Sequence, residues 1–148
     1  MKRFLIPATT LLILLIAVFA IPNGPSKIHQ GAGWIDQNGG TVNVTGSTKV
    51  IIPAGALDEN TYITVTVEIY EAEEKIHYIF GPHGTVFNVP VEITMPWNYL
   101  RNYSGSLELW YLEDNGDVTL VGDAVPDENG KKYTLYVDHF SEYYFPRP

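Results

Sequence analysis

"TYITVTVEIY", residues 61–70, puts Ile63, Val65, Val67 and Ile69 on one side of an extended chain, and Tyr62, Thr64, Thr66 and Glu68 on the other. Strict period two over a full strand length marks a β-strand with one face in a core and one in water. Similar runs follow the same logic: "KVIIP" (49–53), "VPVEITMP" (89–96), "LELWYL" (107–112), "VTLVG" (118–122), "YTLYV" (133–137) and "EYYF" (142–145). No stretch beyond residue 30 carries a helical period. Asn115-Gly116 and Asn129-Gly130 lie between strand runs, and such dipeptides predict type I′ hairpin turns because they accept positive φ at both central positions. Seven or eight short strands at this spacing predict an all-β fold, an antiparallel β-sandwich in one domain.

The chain of 148 residues is 45% hydrophobic and 13% aromatic, enough for one ordinary core. It has 9 Lys+Arg against 17 Asp+Glu, a formal charge of −8. That sign opposes binding to a nucleic-acid backbone or to an anionic membrane surface. The absence of cysteine excludes disulfides, thiolate metal sites, cysteine nucleophiles and a lipid anchor on cysteine.

The N-terminus differs in class from the rest. Lys2 and Arg3 precede an apolar run from Leu11 to Ile21, and Val18-Phe19-Ala20 has the form of a cleavage site. Residues 1–20 are expected to be a secretory signal peptide, or an N-terminal anchor if uncleaved, so that the domain is secreted or displayed at the cell surface. Any membrane contact would come through that segment alone. Its two basic residues removed, 7 basic face 17 acidic side chains, or −10. Residues 21–33, rich in Pro and Gly, are expected to be a linker, leaving residues 34–146 as the domain.

Few side chains point to chemistry. Glu113, Asp114, Asn115 and Asp117 lack the length, terminal glutamate and helices of a calcium loop, and predict a charged hairpin tip. "EAEEK" (71–75) predicts a solvated loop, and His83 in "GPHG" an exposed turn. His29, His77, His83 and His139 show no metal-ligand spacing, so no metal and no cofactor is expected. Asn43 in "NVT" and Asn102 in "NYS" are possible glycosylation sites on an exported chain. Trp97, Tyr99 and Tyr103 cluster in "MPWNYLRNYSGS", where loop aromatics either contact a sugar or protein ligand or close one end of the sandwich.

"GGTVNV" (39–44), "VIIPAGAL" (50–57), "FGPHGTVFNVPVEITMP" (80–96) and "VDHFSEYYF" (137–145) together resemble the ZU-five domain. That β-sandwich is shared by ankyrins, netrin receptors of the uncoordinated-five type and zonula-occludens scaffolds. The matching residues are Gly39, Gly40, Ile52, Pro53, Gly55, Ala56, Gly81, Pro82, Phe87, Pro90, Val91, His139, Phe140 and Ser141. Pro53 is expected to end a strand and Gly55 to allow a reversal, while Pro90 is expected at a strand start or edge. The resemblance implies an interaction module without turnover chemistry, its partner an unknown protein or a surface glycan. Some relatives cut themselves between the Phe and Ser of the final triplet. The resemblance therefore also implies an alternative, self-processing at Phe140-Ser141 with Ser141 as nucleophile and His139 as base. In a regular strand His139 and Ser141 would share one face.

Overall fold

The computed structural model describes residues 24–122 and 124–146. The expected signal or anchor segment, residues 1–20, lies outside them. The described chain forms two antiparallel sheets packed as a sandwich. In chain order the strands are β1 (Lys27–Ile35), β2 (Gly40–Asn43), β3 (Lys49–Ile52), β4 (Thr61–Tyr70), β5 (Lys75–Gly81) and β6 (Val86–Pro96). They continue with β7 (Trp110–Leu112), β8 (Val118–Leu120), β9 (Pro126–Asp127), β10 (Lys132–His139) and β11 (Glu142–Phe145). A six-stranded sheet runs β1-β4-β5-β11-β7-β8, and a five-stranded sheet runs β2-β3-β6-β10-β9.

The alternation in β4 is realised as read: Ile63, Val65 and Val67 are fully buried and Ile69 nearly so. Opposite them Ile76, Tyr78 and Phe80 of β5 fill the same layer, and Val91, Ile93 and Met95 of β6 face them from the other sheet. Burial of these side chains, each worth about 1.5–3 kcal/mol, drives the fold in the absence of any disulfide. Two buried tyrosines keep their hydroxyls satisfied on carbonyls, Tyr78 on Pro96 and Tyr133 on Leu107.

Residues 27–33, expected as linker, instead form most of β1, paired with β4 from Lys27–Ile69 to Ile35–Thr61. The strand escapes a hydrophobic-period search because its inward positions include Gly31 and Gly33. A Cβ on Gly31 would stand 2.4 Å from the Asn43 carbonyl oxygen, so the approach of β1 to β2 requires glycine.

The turns depart from the I′ expectation. In the β7–β8 hairpin Gly116 N–H donates to Glu113 and only Gly116 is left-handed, at φ 88°. This is a type I turn completed by an αL glycine. Between β9 and β10 the left-handed residue is Lys131, at φ 48°, rather than Asn129 or Gly130. Gly55 (φ 79°) closes the turn in which Ala56 N–H donates to Pro53, as a type II turn requires. Pro53 follows β3 as read. Pro90, by contrast, lies inside β6, at the irregularity where the register slips between Val137–Val91 and His139–Val86. A proline is tolerated there because no ladder bond is asked of its nitrogen.

Candidate functional site

β10 pairs with β6 along its length, but with β9 only through Lys132 and Tyr133. Among the described residues no strand covers the other side of Thr134–His139. The far edge of the facing sheet is the three-residue β8. Between these two short-covered edges the sheets leave an open cleft of about 500 Å³. Leu120, Val121, Leu135 and Val137 give it apolar walls, and Tyr111 and Tyr143 the aromatic part of its lining. Tyr143 is almost fully buried, and that burial pushes its phenol pKa up. Asp138 is the one carboxylate in the lining, and no lysine or arginine joins it.

His139 sits at the rim. Its Nδ1 lies 2.6 Å from Asp138 Oδ1 and its Nε2 lies 3.1 Å from the Tyr111 hydroxyl. A carboxylate only accepts, so Nδ1 donates to Asp138. This hydrogen bond holds the Asp138 carboxyl below its ordinary range. The dyad is solvent-facing, with side chains 44% and 78% exposed.

Ser141 is placed otherwise. It is fully buried, and its Oγ donates to the Leu112 carbonyl at 3.2 Å. His139 and Ser141 do not continue one strand: β10 ends at His139 in one sheet and β11 begins at Glu142 in the other. Residues 140 and 141 form the crossing between layers, so the shared face expected from alternation is lost. Phe140 points into the core, its ring 4.7 Å from Phe87 edge-on and 5.8 Å from Phe80. The backbone there is satisfied on both sides. Phe140 N–H donates to Thr85, Gly84 N–H to the Phe140 carbonyl, and Phe80 N–H to Ser141.

The three loop aromatics do not make a binding strip. Trp97 is 4% exposed, stacked on Phe145 at 5.4 Å and tilted against Tyr133. Tyr99 is tied by its hydroxyl to Thr45 and Thr48 and stacks on His29. Tyr103 bonds Ser106 and sets its edge on Phe145. Together they close the end of the sandwich. Asn43 and Asn102 are both exposed.

Sequence reasoning missed two features. On the outer face of the six-stranded sheet His77 lies between Glu68 (3.2 Å) and Glu142 (2.7 Å) and stacks on Tyr144 at 4.2 Å. This clamp ties the adjacent strands β4 and β5 to β11, whose Glu142 lies 65 residues from His77. The carboxylates sit on opposite sides of the ring, and no group of three potential metal ligands occurs among the described residues. The second feature is the pair of exposed aromatics Trp34 and Tyr62, 67% and 47% open. Tyr62 stood on the wet face of its strand in the sequence, which was the available signal.

No protein-family model matches the chain, and no curated protein matches it.

Proposed function

We propose that this chain is an exported, cell-surface or extracellular β-sandwich module that serves protein interaction or structural support, without turnover chemistry. One observation carries the reading: the uncovered edge of β10 along Thr134–His139, beside an apolar cleft. Alternate residues of an edge strand turn their N–H and C=O groups outward, where an extended peptide can add as a further strand. Leu120, Leu135 and Val137 then supply pockets for alternate side chains of that peptide. The charge of the lining favours a basic peptide, since Asp138 stands there without a lysine or arginine. Exposed charge beside the pockets contributes selectivity and association rate more than affinity. The ZU-five resemblance supports the same reading, as that family consists mainly of interaction domains.

Selection of displayed extended peptides against the folded domain tests this. Peptides alternating apolar and basic residues should be enriched, and should lose affinity for the Leu120→Lys variant by about ten-fold or more. Leu120 is 45% exposed on an edge strand, so that variant keeps its fold. Failure to enrich any peptide, or equal binding to both proteins, refutes the reading.

A further inference from the structure

The opposite edge of the six-stranded sheet carries a separate surface. With Ile63 and Val65 of β4 fully buried, Tyr62, Thr64 and Thr66 point outward. The register with β1 sets Trp34 beside Tyr62, Ala32 beside Thr64 and Gln30 beside Thr66. On the other flank β5 sets Gly81 beside Thr64 and Ile79 beside Thr66. Ala32, Thr64 and Gly81 thus form a row of small residues across three strands, a trough floor about 10 Å long at the usual strand spacing. One wall is aromatic: the Trp34 and Tyr62 rings lie 5.2 Å apart at an interplanar angle of 53°. The other is polar, with Gln30 Nε2 donating to Thr66 Oγ1 at 3.3 Å. A depression of about 380 Å³ lined by Gln30, Ala32, Tyr62, Thr64 and Thr66, among others, lies over this face, with Trp34 outside the lining but against Tyr62; no carboxylate, amine or imidazole lines it.

An indole left 67% open contributes little of the burial that stabilises a fold. What it offers is a flat apolar face beside groups that both donate and accept hydrogen bonds. A ligand for such a trough must be uncharged, present an apolar face to an aromatic ring, and carry donors and acceptors along its edge. Nucleobases in a polyanion fit the rings but not the acidic chain. Apolar peptide faces fit the rings but offer no hydroxyl or amide to the Thr64 hydroxyl or to the Gln30–Thr66 pair beside them.

We propose that the Trp34–Tyr62 trough binds a neutral polysaccharide. The C–H face of a sugar ring stacks on Trp34 or Tyr62. Neighbouring hydroxyls exchange hydrogen bonds with the Gln30 amide and the Thr64 and Thr66 hydroxyls. The trough is open at its ends on a sheet face, so it takes an internal stretch of chain rather than a chain end. It is independent of the cleft, which lies at the other edge of the same sheet.

Affinity electrophoresis through gels containing soluble β-glucan, xylan, galactomannan or neutral galactan tests the proposal with wild type, Trp34→Ala, Ala32→Glu and Leu120→Lys. Wild type should be retarded by at least one polymer. Trp34→Ala should weaken retardation about ten-fold or more, the scale of one aromatic stack, and Ala32→Glu should weaken it at least as much by filling and charging the trough floor. Their thermal unfolding midpoints should stay close to wild type, and Leu120→Lys should bind as wild type does. Absence of retardation in all four gels overturns the proposal. So does retardation insensitive to both trough variants, or loss of binding in Leu120→Lys. Self-association of wild type that disappears in Trp34→Ala would also overturn it, by making a second copy the occupant.

Discussion

Replacing Phe140 by alanine separates an anchoring role for the His-Phe-Ser triplet from a chemical one. The side chain is 1% exposed and its ring meets Phe87 and Phe80. Truncating a buried phenylalanine costs about 3–5 kcal/mol, including the cavity left behind. Two aromatic contacts, each about 0.5–1.5 kcal/mol beyond area burial, place this site near the upper end, about 4–5 kcal/mol. Domains of this kind are stable by roughly 5–15 kcal/mol in total, so the substitution should remove from about a quarter to nearly all of the native stability. Ser141→Ala removes one hydrogen bond of 3.2 Å to Leu112. Its expected cost is about 1 kcal/mol. Urea denaturation followed by tryptophan fluorescence gives both values, and intact mass under denaturing conditions gives chain continuity. The anchoring role predicts a cost ratio of several to one and one uncut mass for every variant. A Ser141→Ala cost at or above that of Phe140→Ala refutes it. So does a fragment ending at Phe140 in wild type that Ser141→Ala abolishes, which would establish self-processing.

Gly55→Ala should destabilise by about 1–2 kcal/mol, the cost of a left-handed alanine, because space around the added Cβ is open. Gly39→Ala should cost clearly more by the same denaturation, since its Cβ would also lie 2.3 Å from the Ile52 carbonyl oxygen; equal costs refute the packing part of the argument. Burial raises the phenol pKa values of Tyr78, Tyr133 and Tyr143 above the ordinary 10.0. Below pH 10 these phenols are protonated in both states, and their contribution to stability is fully present. Above it the unfolded chain releases protons that the native chain keeps, so stability falls as pH rises. Absorbance at 295 nm should therefore show a steep step coinciding with loss of the β-sheet circular dichroism, and ionisation of all tyrosines in a still-native protein would refute this.

Much of the architecture was legible. β4 could be read residue by residue, because a one-sided strand writes its environment into every second position. Parts of β3, β6, β10 and β11 were legible for the same reason, whereas β7 and β8 showed only as apolar runs without alternating burial. β1 was not, since its inward positions hold glycines demanded by the nearness of β2, and a gap in hydrophobicity looks like a linker. The hairpins were placed but mistyped: Asn-Gly marks a reversal, whereas loop length decides which residue turns left-handed. Of the candidate site residues, Trp97 illustrates the limit. Its loop sequence is compatible with a binding platform or with a lid, and only Phe145 and Tyr133 arriving from other strands make it a lid.

The sequence by itself determined that this is an acidic, cysteine-free, all-β chain, because strand period and turn chemistry are local properties. Tertiary structure decided which faces and edges stay open. Alternation assigns two sides within a strand but does not carry across the crossing at Phe140-Ser141, where the chain changes sheets. The cleft exists because β9 and β8 are short beside β10, and the trough because Ala32, Thr64 and Gly81 fall into one row. Both depend on register between segments far apart in sequence, which no single stretch records.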